Sequence, residues 1–307
     1  MNFNTIFSIL ATTMFTFSSI ALGSIKVIST TPDIDWLVKK IGQDKVISES
    51  LLDGTEDPHF VDAMPHFVSR VSNADVFCFV GLDLEVAWAP KIINKSANTK
   101  VQKGGKGYCD AGSSVKAIDI PSGRIDRSMG DVHSSGNPHY HLSPTSYLEA
   151  ASTILEVLNN SDPNNSEHYL KNFDILSKEL NGIKNQISKI LNPLSGLKIM
   201  QYHKEFSYFI NEFGLKESGS IEKVPGVPPS AGRLARVVIE SKSNKVSLVV
   251  SSETSPQKTL EKFSAMSGIP TVSLPISIKK NKFPKDYKEL LLGIASKIKE
   301  TAELGRL

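Results

Sequence analysis

Short β-branched runs alternate with helix-periodic stretches along most of the chain, the pattern of parallel β/α units. Ile25–Thr30 reads as a strand and Asp35–Ile41 as a helix, and a second strand, Val46–Leu52, leads into a Gly54–His59 loop. Met64–Asn73 has helical spacing, Val76–Val80 is a nearly continuous apolar strand, Leu84–Asn94 is helical again, and Val115–Ile120 closes the series as a strand. Strands apolar on both sides belong in a sheet covered by helices on both faces. His59 then falls just past the carboxyl end of a parallel strand, where open α/β sheets place their ligands.

The next stretch carries the most regular helical pattern of the chain. Tyr169, Phe173, Leu176, Leu180, Ile183, Ile187 and Ile190 recur at steps of four and three. Asp162-Pro163 ahead of them offers an N-cap and a first-turn proline, and Asn192-Pro193 ends the run. From Asn164 to Leu191 the helix would extend roughly 42 Å at 1.5 Å per residue, more than the radius of a small domain. A coiled-coil seam would look similar, but βα units resume at once, which favours a stiff strut between two lobes. Leu197–Gln201 is a strand delivering His203, Phe206–Phe213 a helix stopped by Gly214, and Pro225–Pro229 a loop. Ala231–Ser241 is helical, Val246–Val250 is a strand followed by Glu253, and Gln257–Ser267 is helical. Thr271–Leu274 is a short strand and Tyr287–Leu304 a terminal helix. The expected class is α/β, with two lobes of parallel β/α units, residues 24–161 and 193–307, joined by one long rigid helix within 162–192 and leaving a cleft between them.

Residues 2–23 carry no charged side chain, hold an apolar core at Ile6–Phe17, and end in Ala21-Leu22-Gly23, small where signal peptidase inspects. Residues 1–23 are therefore expected to be a secretory signal, with a mature soluble chain starting near Ser24 in a periplasm-like compartment. No cysteine follows the cleavage site to take a lipid. The net charge of +3, with lysines dispersed, gives no basic patch for nucleic acid. The two cysteines, Cys78 and Cys109, lie in or beside consecutive strand-like runs. In an exported chain they either pair or stay as two buried thiols.

Candidate chemistry concentrates at histidines. Gly130–Pro144 holds three of the seven in the chain, His133, His139 and His141. The pairs Asn137-Pro138 and Ser143-Pro144 keep this segment out of a helix, so His139 and His141, two apart, would share a face on an extended backbone. Asp57-Pro58-His59 repeats the Pro-His pair, and His203 directly follows an apolar strand. Neutral imidazole is the commonest zinc ligand among side chains. His66, in a helix after Pro65, and His168, near the start of the strut, read as solvated residues.

With these pieces in order the chain resembles the zinc- and manganese-class periplasmic solute-binding proteins of metal ABC importers, over nearly the whole mature length. The resemblance rests on Gly54–His59 (Gly-Thr-Glu-Asp-Pro-His), on Asn73–Asp75 leading to Gly81–Glu85 and Trp88, and on Gly104–Asp110 (Gly-Gly-Lys-Gly-Tyr-Cys-Asp). It continues through Gly136–Tyr140, Tyr169 and Asn172, and His203–Phe209 (His-Lys-Glu-Phe-Ser-Tyr-Phe). It implies two α/β lobes joined by one long helix, with the metal between the lobes on His59, His139 and His203. It also implies a monomer that binds a divalent metal ion as cargo and hands it to an ABC transporter membrane permease, and no enzymatic activity.

The chain departs from that pattern in three places. Many members supply a carboxylate ligand after the last strand of the second lobe, where Thr271–Lys280 has none. Zinc-type members often carry a long His- and acid-rich loop, and here only Asp126–Ser135 with His133 stands in its place. The expected aromatic after Tyr140 is His141. Three imidazoles suit Zn2+ in a tetrahedral site, whereas Mn2+, the alternative, recruits more oxygen. Water or chloride ranks first for the fourth position, then Glu253, then His141. A zinc hydrolase also uses three histidines and an open position, but His-Glu-x-x-His is absent. A surface adhesin on the same fold is the remaining alternative.

Overall fold

In the computed structural model, which describes residues 24–122 and 132–305, the β-branched runs become two four-stranded sheets in which every strand pairing is parallel. The first sheet contains β1 (Ile25–Ser29), β2 (Val46–Ser50), β3 (Val76–Phe79) and β4 (Tyr108–Asp110), in the order β2-β1-β3-β4. The second contains β5 (Lys198–Gln201), β6 (Lys216–Ser220), β7 (Leu248–Ser252) and β8 (Thr271–Leu274), in the order β6-β5-β7-β8. Each sheet reverses its winding between its first and third strands, and ligands bind outside the strand ends at such reversals. The expected signal segment, residues 1–23, and residues 126–131 of the short loop lie outside the described residues. Among the described residues no helix is long and apolar enough to cross a membrane.

The long apolar seam forms α5 (Ser166–Leu191), a helix of 26 residues with Tyr169, Leu176, Leu180, Ile183, Ile187 and Leu191 buried. It starts two residues later than the spacing predicts, because Pro163–Asn165 form a 3-10 turn. Asp162 does not cap it; the carboxylate instead accepts from Tyr169 Oη and Asn165 Nδ2, both at 2.7 Å. Helices α1 (Pro32–Gly42), α4 (Pro144–Ser161) and α9 (Tyr287–Leu304) all pack on α5. The seam therefore runs inside one apolar cluster that contains Val27 and Val76 of the first sheet and Ile199 and Leu248 of the second. Separate apolar clusters around Phe77 and Trp88, and around Val249 and Phe263, cover the opposite faces of the two sheets.

Two expectations change, and one strand appears where none was expected. Val115–Ile120 is not a strand, and the fourth strand of the first sheet is β4, in register with β3. The backbone of 115–120 is drawn to the other lobe: Ile118 N–H donates to Tyr208 Oη at 3.3 Å, and Asp119 turns with φ +52°. The helix expected over Leu84–Asn94 is confined to α3 (Ala89–Ser96), because Leu82 and Asp83 take positive φ and the Glu85 side chain captures the N–H groups of Val80 and Gly81. The edge strand β6, Lys-Glu-Ser-Gly-Ser, carries no β-branched residue to announce it. Cys78 and Cys109 face each other across β3 and β4 with Cα atoms 4.4 Å apart and form a disulfide.

Candidate metal centre

Each of three histidines is set by a local device that its own sequence supplies. In Asp57-Pro58-His59 the Asp57 carboxylate accepts the His59 backbone N–H at 3.0 Å, and Trp88 Nε1 donates to the Pro58 carbonyl at 2.8 Å. In Asn137-Pro138-His139 the Asn137 side-chain oxygen accepts the His139 N–H at 3.0 Å, while its amide donates across to the Lys204 carbonyl at 2.7 Å. Tyr140 follows with its hydroxyl on the Val80 carbonyl at 2.8 Å, which anchors the segment in the first lobe. His203 leaves the end of β5 two residues beyond Gln201.

The three side chains converge. One ring nitrogen from each of His59, His139 and His203 lies within 4.8 Å of the other two. Ring centroids stand 5.5, 6.0 and 5.9 Å apart for the pairs His59/His139, His59/His203 and His139/His203. Asp57 Oδ1 sits 2.6 Å from His59 Nδ1, and Glu222 Oε2 sits 3.1 Å from His203 Nδ1. A carboxylate on Nδ1 holds the proton there and leaves the Nε2 lone pair free, the usual support for a metal-binding imidazole. His139 Nε2 is buried without any hydrogen-bond partner. Buried polar atoms are seldom left so, and a cation among the rings would satisfy it. Zinc–nitrogen bonds of about 2.0–2.1 Å place tetrahedral nitrogens roughly 3.4 Å apart, so small ring rotations close this group onto an ion.

The electrostatics differ from ring to ring: burial keeps His139 neutral, and anions support charge on His203. Burial, then the nearby His59 and His203, hold His139 well below its ordinary value. Burial would also lower His203, but the Glu222 hydrogen bond and the charges of Glu205 and Glu222 outweigh it and raise this group. Burial opposes ionisation of Asp57 as well, and the His59 hydrogen bond and charge overcome it.

Neither proposed protein ligand for the fourth position joins the group. Glu253 stands at the end of β7 paired with Lys279. His141 is turned away because the backbone enters a 3-10 turn at Tyr140–Leu142 instead of staying extended, and its Nε2 meets the Ile276 carbonyl at 2.6 Å. His66 is exposed on α2 (Pro65–Ser72), and His168 Nε2 lies 3.3 Å from the Gly42 carbonyl. A histidine that sequence reasoning left without a role comes close instead: His133 Nε2 is 3.1 Å from His59 Nε2. Asp83 anchors its neighbours by accepting from Ser134 Oγ at 2.5 Å and Ser135 N–H at 3.0 Å. Burial, then the charges of His59 and His203, push the His133 imidazole down to about 4. Its place in the same histidine-rich segment as His139 was the one available signal.

Comparison with known proteins gives consistent matches over nearly the whole chain. The family model described as zinc-uptake complex component A, periplasmic (ZnuA), matches residues 27–301. The manganese ABC transporter substrate-binding lipoprotein PsaA of Streptococcus pneumoniae is 27% identical over 265 residues, covering 84% of this chain and 82% of that protein. The metal ABC transporter substrate-binding lipoprotein SloC of Streptococcus mutans is 27% identical over 246 residues, covering 77% and 76%. A crystal structure of ZnuA superposes with a TM-score of 0.75 at 25% identity, over 91% of this chain and 99% of that one. The Mn2+ complex of FpvC from Pseudomonas aeruginosa superposes with a TM-score of 0.77 at 21% identity, over 92% and 99%, which speaks to the fold.

Proposed function

Because the chain belongs to the ZnuA family of metal-binding components of ABC importers, we propose that it captures zinc at His59, His139 and His203 and delivers it to a membrane permease. The observation that carries the site is the convergence of one ring nitrogen from each histidine, with His139 Nε2 buried and unpartnered. The choice of zinc over manganese follows from the donor set, since three imidazole nitrogens favour zinc and oxygen-rich sites suit manganese. Relatives named for manganese keep that ion as the second reading. The pathway fits an exported monomer: residues 1–23 act as the export signal, residues 24–161 and 193–307 form the lobes, and 162–192 link them. Asp57 and Glu222 orient His59 and His203, so the metal meets ligands already in the right tautomer.

Metal analysis of the purified mature chain, with zinc and manganese in competition, tests the reading. One zinc ion per chain is expected. Replacing any of His59, His139 or His203 with Ala should weaken zinc binding by ~100-fold or more, since removing even an outer partner of a ligand costs about 10–100-fold, while the circular dichroism spectrum stays unchanged. Unaltered stoichiometry and affinity in the triple substitution would remove the site, and tighter retention of manganese than zinc would reverse the choice of ion.

A further inference from the structure

Glu205 is the buried acidic group that a three-histidine site leaves without a task. Its side chain is 5% exposed, and Oε2 is buried without a hydrogen-bond partner. It lines one cavity together with His59 and His203 at the meeting of the two lobes. The turn after β5 is closed by the Glu205 N–H on the His203 carbonyl at 2.9 Å, so both side chains leave the same tight bend. Taking a carboxylate out of water is costly unless a cation or donors compensate; the Ser252 side chain supports the ionised form, and among the described residues Oε2 keeps no hydrogen-bond partner.

We propose that Glu205 supplies the fourth, carboxylate ligand to the metal held by His59, His139 and His203. The proposal rests on the three-histidine reading. Other candidates are engaged: Glu253 with Lys279, His141 with the Ile276 carbonyl, and Asp57 and Glu222 with the outer nitrogens of His59 and His203. The segment after β8, Pro275–Ile278, offers no acid. The Glu205 oxygens stand outside the set of atoms mutually within 4.8 Å. Ligation therefore takes a change of rotamer, in which the Ser252 interaction is exchanged for the metal while Oε2 has no hydrogen bond to lose. Three neutral imidazoles around a divalent ion leave a buried charge of two, and one carboxylate halves it. An oxygen donor also makes the site more tolerant of harder ions than three nitrogens alone.

The test uses the full mature chain loaded with Zn2+ in competition titrations and with Co2+ for its d–d absorption bands. Glu205→Gln should keep one metal per chain, weaken Zn2+ by more than the ~10–100-fold typical of losing a supporting group, and shift the Co2+ bands. Glu205→Asp, which keeps the donor on a shorter stem, should restore part of the affinity and provides the same readout if the Gln variant does not fold. Weakened binding with unchanged bands would mean that Glu205 acts through the charge on His203 and is no ligand, which overturns the proposal. Wild-type affinity and bands in Glu205→Gln, with His59→Ala inactive, would overturn it while leaving the three-histidine site intact. A band shift in His133→Ala and none in Glu205→Gln would assign the fourth position to His133 and overturn it too. Wild-type binding in His59→Ala as well would bring down the three-histidine site and this proposal together.

Discussion

Glu85 shows at the scale of one residue how a polar group shapes the first lobe. It is 3% exposed and accepts from Thr30 Oγ1 at 2.6 Å, Val80 N–H at 2.8 Å and Gly81 N–H at 3.1 Å. Burial outweighs these donors and pushes its carboxyl up from 4.5 to about 7. The folded chain therefore holds this proton over a range where the unfolded chain has released it. The stabilisation is complete below pH ~4.5 and is lost as pH rises to about 7, a difference on the order of 3 kcal/mol. Urea midpoints of the metal-free chain at pH 5 and pH 8, set against Glu85→Gln, should show this loss in the wild type and a flatter profile in the variant. Equal slopes in both would remove the assignment. The three converging histidines, His59, His139 and His203, were legible from Pro-His pairs and strand ends, which are local features. Glu205 and His133 were not assigned as ligands, because their relation to the site depends on folding: a bend after β5 for one, and a segment pinned to Asp83 for the other.

At the scale of elements, α5 was legible because its burial is written in a local period of four and three. The fourth strand of the first sheet and β6 were not, since β4 is three residues long and β6 is polar throughout. Helix α4 was overlooked for a related reason, as Ala150 and Ala151 form part of its buried face and give a weak apolar stripe. Within α5 the single glycine, Gly182, sits in the helix interior, and a Cβ built there would meet nothing within 4 Å. Gly182→Ala should therefore stabilise the chain by about 0.5–1 kcal/mol, through the backbone freedom it removes from the unfolded state. The urea midpoint should rise with an unchanged m-value. A lower midpoint would show that α5 depends on bending at this position.

At the scale of the molecule, a metal held at the proposed site between the two lobes would need a way out. The apolar core is continuous from the first sheet through α5 to the second, and Trp36, Tyr147 and Tyr287 from α1, α4 and α9 pack together at centroid separations of 4.3–6.0 Å. Polar links cross at several points. Ile278 N–H donates to Asp33 at 3.0 Å, Lys280 Nζ to the Ser50 carbonyl at 2.9 Å, and Tyr208 Oη to the Asn137 carbonyl at 2.9 Å. A wide rotation of the lobes would break such bonds, at about 1–3 kcal/mol for each buried group left unpaired, and would open the core as well. Loosening the segments around His59, His139 and His203 disturbs much less, and local opening draws on the low-stability end of a structure. The permease would then favour the loosened segments, since a partner shifts an equilibrium only by its differential affinity for the two states. Small-angle scattering should accordingly find the same radius of gyration with and without zinc, and hydrogen exchange should show added protection confined to residues 57–60, 132–141 and 203–206. Compaction of the whole particle on zinc binding, with protection spread evenly along α5, would refute the rigid strut and establish a hinge.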